Sequence, residues 1–298
     1  MEYDTKKIIY MSAGFVVVVV AVAFATSSRI PQLFPRTGGS TQFAAVGAPL
    51  IYTFNSPGIL NEAGSMAGST SPYWWVNSGG ELIMQNGIGE TMQGDASLLN
   101  KWRIAYALSN PVDTDGGLHP QNLFRLVSKG TWDGSSLEAH FYIAKDDLST
   151  SPNRNQSNGL LLMSRYTGDG QTLYYAGIRV DGTAVIKKKY HGTYYTMAQT
   201  HVFPGTYSIA AATGTSQNLL PHGAWIGLKA TTITNADGSV TITLFMQASS
   251  GSWTQLLQAV DSGNTSVGKT PPITGAQYAG VRTDFMDVQF SNFRFQSI

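Results

Sequence analysis

Tyr174 to Gln199 reads YYAGIRVDGTAVIKKKYHGTYYTMAQ. β-Branched and aromatic residues fill the stretch, and two turn dipeptides, Asp181-Gly182 and His191-Gly192, cut it into three short runs. Runs of this kind, bounded by residues that accept positive φ, predict a meander of three antiparallel strands. With two-residue loops of type I′, Val180 faces Thr183, Ile178 faces Val185 and Tyr175 faces Lys188. Across the second loop Tyr190 faces Thr193 and Lys188 faces Tyr195. Alternation then assigns Tyr174, Ala176, Ile178, Val180, Val185, Lys187, Lys189, Tyr194 and Thr196 to one face. Tyr175, Gly177, Arg179, Ile186, Lys188, Tyr190, Tyr195 and Met197 take the other.

The first face has an aliphatic end suited to a core. The second gathers three tyrosines around a lysine and an arginine. Tyrosine rings can cover the apolar C–H faces of pyranoses, and Lys and Arg can bind hydroxyls or uronate carboxylates. Tyr175, Arg179, Lys188, Tyr190 and Tyr195 are therefore the candidate carbohydrate-binding residues. The alternative is a solvated outer face: tyrosine is a good strand former, and lysines blunt an exposed strand and snorkel to water.

Outward from this stretch the pattern continues. ELIMQ at Glu81, NKWRIAYAL at Asn100, LFRLVSK at Leu123, LEAHFYIA at Leu137 and GLLLMSRY at Gly159 read as strands. So do AWIGLKATTI at Ala224, SVTITLFMQ at Ser239, WTQLLQAV at Trp253 and DVQFSNFRF at Asp287. Asp237-Gly238 marks a further hairpin. The sum is about a dozen strands in roughly 250 residues, within reach of one all-β domain, with no fixed-period repeat. Long loops start at Ser109, Lys145 and Thr200, where binding sites of a sandwich often lie.

The chain has 298 residues, 42% hydrophobic and 12% charged, so it can bury a sizeable core. A formal net charge of +1 gives no global pull toward nucleic acid, and no nucleic-acid motif appears. With no cysteine, disulfides, thiolate metal sites and thiol nucleophiles are excluded.

From Ile8 to Thr26, IIYMSAGFVVVVVAVAFAT carries no charge. As a helix, roughly 19 residues would reach about 28 Å, near the thickness of a bilayer core. Two readings stand: an uncleaved signal-anchor helix, or a signal peptide cut after Ala25. Both export the rest of the chain. The first leaves the domain membrane-anchored and extracytoplasmic; the second leaves it secreted. Residues 1–28 are thus the anchor or signal, 29–49 a Pro- and Gly-bearing linker, and 50–298 the domain.

Other chemistry has candidates. Glu81, Glu90 and Glu138 are carboxylates for a glycosidase, which needs a pair across the scissile bond. A lyase needs a base and a cation that neutralises the uronate; Tyr175, Arg179, Lys188, Tyr190 and His140 are candidates. Asp284 and Asp287, in RTDFMD, and the DTDGG stretch at Asp113 resemble oxygen-rich loops that could hold a structural Ca2+. Asx turns are the competing reading.

PYWWVNSGGELIMQNGIGETMQG, from Pro72, and YAGVRTDFMDVQFSNFRF, from Tyr278, resemble segments of the concanavalin A-like lectin/glucanase superfamily. That superfamily includes laminin-G-like and alginate-lyase-like jelly rolls. The resemblance covers about Leu50 to Ile298. It implies an all-β, two-sheet antiparallel jelly-roll sandwich, here preceded by one transmembrane helix. It implies a glycan partner for an exported, membrane-anchored carbohydrate-binding domain. A polysaccharide lyase or hydrolase on the same fold, or an adhesive surface protein, are the alternatives. In the lyases a Lys-Ala-Gly strand followed by Tyr carries catalytic groups. YYAGIR is similar, with Tyr175 at the lysine's place and Arg179 at the tyrosine's. Neither the Gln-x-His motif of those lyases nor the glucanase pattern Glu-x-Asp-x-x-Glu is expected in this chain.

Overall fold

The computed structural model describes residues 47–208, 218–248, 251–263 and 269–298. They fall in a compact unit spanning Thr41–Ile298. The apolar stretch from Ile8 to Thr26 lies outside the described residues, as does the linker up to residue 46. Among the described residues no helix is long and apolar enough to cross a membrane.

Among the described residues sixteen strands succeed one another. The first eight are β1 (Leu50–Tyr52), β2 (Gly58–Asn61), β3 (Trp74–Ser78), β4 (Glu81–Gln85), β5 (Ile88–Glu90), β6 (Leu123–Trp132), β7 (Ser135–Asp146) and β8 (Gly159–Tyr166). Then come β9 (Leu173–Arg179), β10 (Thr183–Tyr190), β11 (Thr193–His201), β12 (Trp225–Thr234), β13 (Val240–Ala248), β14 (Thr254–Asp261), β15 (Gln277–Asp284) and β16 (Met286–Gln296). They form two antiparallel sheets. One runs β14-β13-β12-β7-β16-β5-β4-β2, with β1 also paired to β16; the other runs β11-β10-β9-β8-β15-β6-β3. The chain changes sheet on both sides of β3, between β5 and β6, on both sides of β7, between β11 and β12, and on both sides of β15. This is the two-sheet jelly-roll sandwich expected from the sequence.

Period-two burial builds the space between the sheets. On β7, Leu137, Ala139, Phe141 and Ile143 point inward and are wholly buried. Leu160, Leu162, Ala176 and Ile178 answer them from β8 and β9. β16 breaks the period. Its pairing with β7 shifts between Ser291 and Arg294, and Asn292 sits at φ 52. The irregularity turns Phe290, Phe293 and Phe295 all into the core. Phe293 there contacts Phe54, Trp74, Phe290 and Phe295, with centroids 5.0 to 5.9 Å apart.

The segment NKWRIAYAL, expected as a strand, is instead a helix, α1 (Lys101–Ser109). Asn100 supplies the start: its side chain accepts from the amides of Trp102 and Arg103, satisfying two donors that a helix leaves open. Tyr106 is its buried residue, and the Tyr106 hydroxyl donates to Glu62. The apolar residues of this nonamer satisfy both periods too briefly for sequence to decide, and the cap decides.

The loop at Asp181-Gly182 departs from the expected two residues, and the hairpin expected at Asp237-Gly238 is present with the same loop length. Arg179 pairs toward Thr183 and Asn235 toward Ser239, so each loop holds three residues, not two. Gly182 (φ 77) and Gly238 (φ 81) take the left-handed position. Asp181 and Asp237 stay in ordinary φ, and each accepts from the amide two residues on, Thr183 and Ser239. An Asx turn thus converts Asp-Gly from a type I′ pair into the second and third residues of a bulged loop. His191-Gly192 does form the two-residue loop, at φ 46 and 85.

Phe293→Ala is expected to cost about 3–5 kcal/mol in urea unfolding, because it empties the centre of the aromatic cluster. Asn292→Gly should be nearly neutral, since φ 52 suits glycine.

Candidate functional site

One added loop residue moves a whole face. Lys187, not Lys188, lies opposite Tyr175, and Lys188 lies opposite Tyr174. The five residues grouped from sequence are therefore divided. Tyr175 and Arg179 point away from the sandwich core. Lys188 points inward and is 0% exposed. Tyr190 packs on the main core, and Tyr195, paired with Lys188, shares the inward side. Lys188 is a core residue and not a surface contact: its Nζ lies 2.6 Å from Asp261 and donates to the carbonyls of Thr270 and Pro271. Tyr174 completes the group, its hydroxyl donating to Asp261 at 2.7 Å and accepting from Ile273 N.

The outward face is populated by other residues. Lys187, Lys189 and Tyr194, expected on the core side, stand there beside Tyr175. β15 adds Arg282 and β6 adds Arg125 directly opposite it. Tyr175 and Tyr194 stack with centroids 6.1 Å apart. Arg282 lies over the Tyr175 ring at 5.8 Å and donates to its hydroxyl at 3.3 Å. The Lys189 ammonium sits 5.2 Å from the Tyr194 ring centre. Beneath the polar atoms lies a second apolar layer, in which Trp75, Val127, Leu161, Met163 and Val185 surround Tyr175.

The electrostatics of the tyrosines differ by neighbour. Burial pushes Tyr166 up to about 12. Burial likewise raises Tyr175 against the opposing pull of Arg282. Tyr194 goes the other way. Burial resists its ionisation, but the charges of Arg282 and Lys189 and hydrogen bonds from Arg282 and Tyr175 hold its phenol below the ordinary value. It is also 48% exposed, so this phenol is reachable.

Arg282 is fixed by Asp284, whose Oδ1 accepts from its Nε at 2.7 Å. Asp287 faces elsewhere, accepting from Gln121 Nε2 and Gly94 N. The expected calcium pair is thus split between two environments. Among the described residues no three His, Asp or Glu side chains gather as a metal-ligand set. His140 bonds Gln247 at 2.9 Å on the nine-stranded sheet, away from this face. Glu81, Glu90 and Glu138 belong to that sheet as well.

Sequence reading missed Arg125, Tyr166, Tyr194 and Arg282. A signal for Arg282 was present: Tyr175-Ala-Gly-Ile-Arg179 is repeated as Tyr278-Ala-Gly-Val-Arg282. Both pentapeptides lie in the same sheet. Both glycines lie where a Cβ would fall 2.1–2.2 Å from a neighbouring strand's carbonyl oxygen. The Gln-x-His form, expected to be absent, is present as Gln199-Thr200-His201. Gln199 pairs with Val185 and His201 with Thr183, so both share the outward face.

No family model matches the chain, and no curated protein matches it. Among solved structures it is similar to the carbohydrate-binding module CBM66 from Bacillus subtilis, at 13% identity and TM-score 0.40, over 59% of this chain and 83% of that one. It is similar to the GH43 protein BlXynB from Bacillus licheniformis, at 10% identity and TM-score 0.42, over 83% of this chain but only 39% of that one. A third is the alginate lyase Aly36B, at 10% identity and TM-score 0.41, over 85% and 98% of the two chains. At these scores no role passes to any residue here.

Two outcomes are expected. Lys188→Ala leaves Asp261 buried without its cation and should cost about 3–5 kcal/mol, whereas Lys188→Met with Asp261→Leu should restore much of that in urea unfolding. In an absorbance titration of phenolate, one tyrosine should ionise below the rest. Tyr194→Phe should remove that step, and Arg282→Gln should move it to higher pH.

Proposed function

We propose that the outward face of the seven-stranded sheet binds an anionic polysaccharide of the uronate class. The observation that carries this is the stacked Tyr175–Tyr194 pair set among Arg282, Lys187 and Lys189. The exposed Tyr194 ring, backed by buried Tyr175, offers apolar surface to sugar C–H faces, and Arg supplies a planar fork for a carboxylate. The apolar stretch at Ile8–Thr26 supports export of the domain to where such polymers lie, held at a membrane or released after Ala25.

A second reading is favoured by one specific feature. A phenol held below its ordinary pKa beside a guanidinium pairs a base with a carboxylate-neutralising cation, as β-elimination of a polyuronate needs. Tyr194 would take the C5 proton, Arg282 would stabilise the charge developing on the uronate, and the C4–O bond would break as the C4=C5 double bond forms, the leaving oxygen taking a proton from water.

Titration calorimetry with polyuronate and neutral glucan oligomers is the test. Tyr194→Ala should weaken polyuronate binding by about thirtyfold, the loss of roughly 2 kcal/mol typical of an aromatic anchor. Arg282→Gln should weaken it further at low salt than at high salt. Tyr195→Phe, on the other side of the sheet, should leave affinity unchanged. Equal binding by Tyr194→Ala and the parent would refute this site. New ultraviolet absorbance from unsaturated ends would establish the second reading; binding without it keeps the first.

A further inference from the structure

At one end of the sandwich a half-open pocket lies between the segment that links β7 to β8 and the turn from β15 to β16. Arg154, Asn158, Tyr207, Asp146 and Asp284 line it. Arg154 is 6% exposed. A guanidinium carries five N–H donors. Arg154 makes a single long hydrogen bond, from Nη1 to Ser149 O at 3.5 Å. Among the described residues its charge enters no ion pair within 4.0 Å. Burying a charge unpaired is costly, so such a group is normally met by an opposite one.

The acids on the same walls have cations of their own. Asp146 lies 3.1 Å from His222 Nε2 and accepts from Asn218 Nδ2 at 3.0 Å. It also raises the His222 pKa, so that this ring takes up charge more readily. Asp284 accepts from Arg282 Nε at 2.7 Å through Oδ1, while its Oδ2 is buried without a donor. Arg154 is the cation left over. Two neighbours can donate beside it. Asn158 spends its Oδ1 on the Asn155 amide, which leaves its Nδ2. Burial keeps the Tyr207 phenol protonated, with the Arg154 and Asp146 charges acting on it in opposite directions.

Charge, size and polarity select the occupant. Counted out to its mouth the pocket is about 230 Å3, below the roughly 300–1,000 Å3 of a drug-sized site. Its enclosed depth takes about one water-sized group, so a ligand enters by its end. The two acids disfavour a second negative charge there. We propose that the pocket binds the carboxylate end of a small, singly charged hydroxycarboxylate. Arg154 pairs with the carboxylate, Asn158 and Tyr207 donate to it, and a hydroxyl of the ligand donates to the acids. A guanidinium can meet a carboxylate through two parallel hydrogen bonds, which suits the narrow depth. Of the residues named, only Asp284, the support of Arg282, is shared with the outward face, and the inference does not rest on the glycan reading.

Sodium D-glucuronate is the probe, with methyl glucoside and inorganic phosphate as controls. At about a hundredfold above its dissociation constant, glucuronate should raise the Tm of the full chain by about 5–10 °C. Methyl glucoside, which lacks the carboxylate, and phosphate, which carries more charge, should shift it less. In titration calorimetry Arg154→Gln should weaken glucuronate binding about ten- to a hundredfold, the loss of a charge-assisted hydrogen bond. Tyr194→Ala should leave that binding unchanged. If Arg154→Gln does not fold, Tyr207→Phe takes its place, with a loss of about fivefold expected. No shift with glucuronate, an equal response to either control, or parental affinity in the variant used would overturn the proposal. So would glucuronate binding that Tyr194→Ala abolishes, since that binding belongs to the outward face.

Discussion

The ion pair between Lys188 and Asp261 fixes the face on which everything else depends. It joins β10, one strand in from the edge of the seven-stranded sheet, to the end of β14 on the edge of the nine-stranded one, and Tyr174 secures it from β9. A charged pair taken wholly out of water is tolerable only when every remaining donor and acceptor is met. Here the ammonium reaches two carbonyls besides the carboxylate. Any slip of β10 by one residue would put Lys187 or Lys189 into the core and expose Lys188, leaving Asp261 buried alone. The pair is weak evidence of high stability but strong specification of register. By holding Lys188 in, it holds Lys187, Lys189 and, across the strand, Tyr175 and Tyr194 out.

That dependence explains what could be read from the sequence and what could not. Strand identity was legible wherever period two ran long, as in β7, where Leu137 to Ile143 alternate without fault. Glu81–Gln85 and Gly159–Tyr166 coincide with the expected runs. Sheet membership of residues near the turns was not legible, because face assignment is the product of every loop length before it. At Asp181-Gly182 a side-chain hydrogen bond of 3.0 Å to Thr183 N selected three loop residues over two. The error was one residue, and it exchanged Lys187 and Lys189 for Lys188. The outward tyrosine-rich surface was foreseen in kind. Of the five residues grouped there, Tyr175 and Arg179 lie on the outward side of the sheet and Lys188, Tyr190 and Tyr195 on the inward side. α1 failed for a different reason: Asn100 looks like a strand boundary unless its capping bonds are known.

The tyrosines show how far environment, not residue type, sets chemistry. Tyr174 lies against Asp261, and burial with that hydrogen bond raises its phenol far above the usual range. Tyr194 lies two strands away on the other side of the sheet, facing Arg282 and Lys189, and its phenol falls. Adjacent residues 174 and 175 point to opposite sides of one sheet, Tyr174 into the core between the sheets and Tyr175 into the apolar layer on the outer side. A tyrosine count in the sequence cannot separate them, but the inward or outward parity of a single lysine does.

The same molecule offers its own standard for a buried carboxylate. Asp261 is wholly buried and is met by Lys188, Tyr174 and the amide of Gly263. Asp113, mostly buried, is met by Ser151, Asn153 and Asn110, and these bonds hold its pKa down against burial. Asp147 is buried as deeply as Asp261 and among the described residues has only the His119 ring, 4.0 Å away, to meet it, and burial with the nearby Asp287 charge pushes its carboxyl up to about 7. Asp284 lies between these cases: its Oδ1 accepts from Arg282 Nε, while its Oδ2 is buried without a hydrogen bond. At equal depth, then, it is the donors around a carboxylate that set how readily it stays charged.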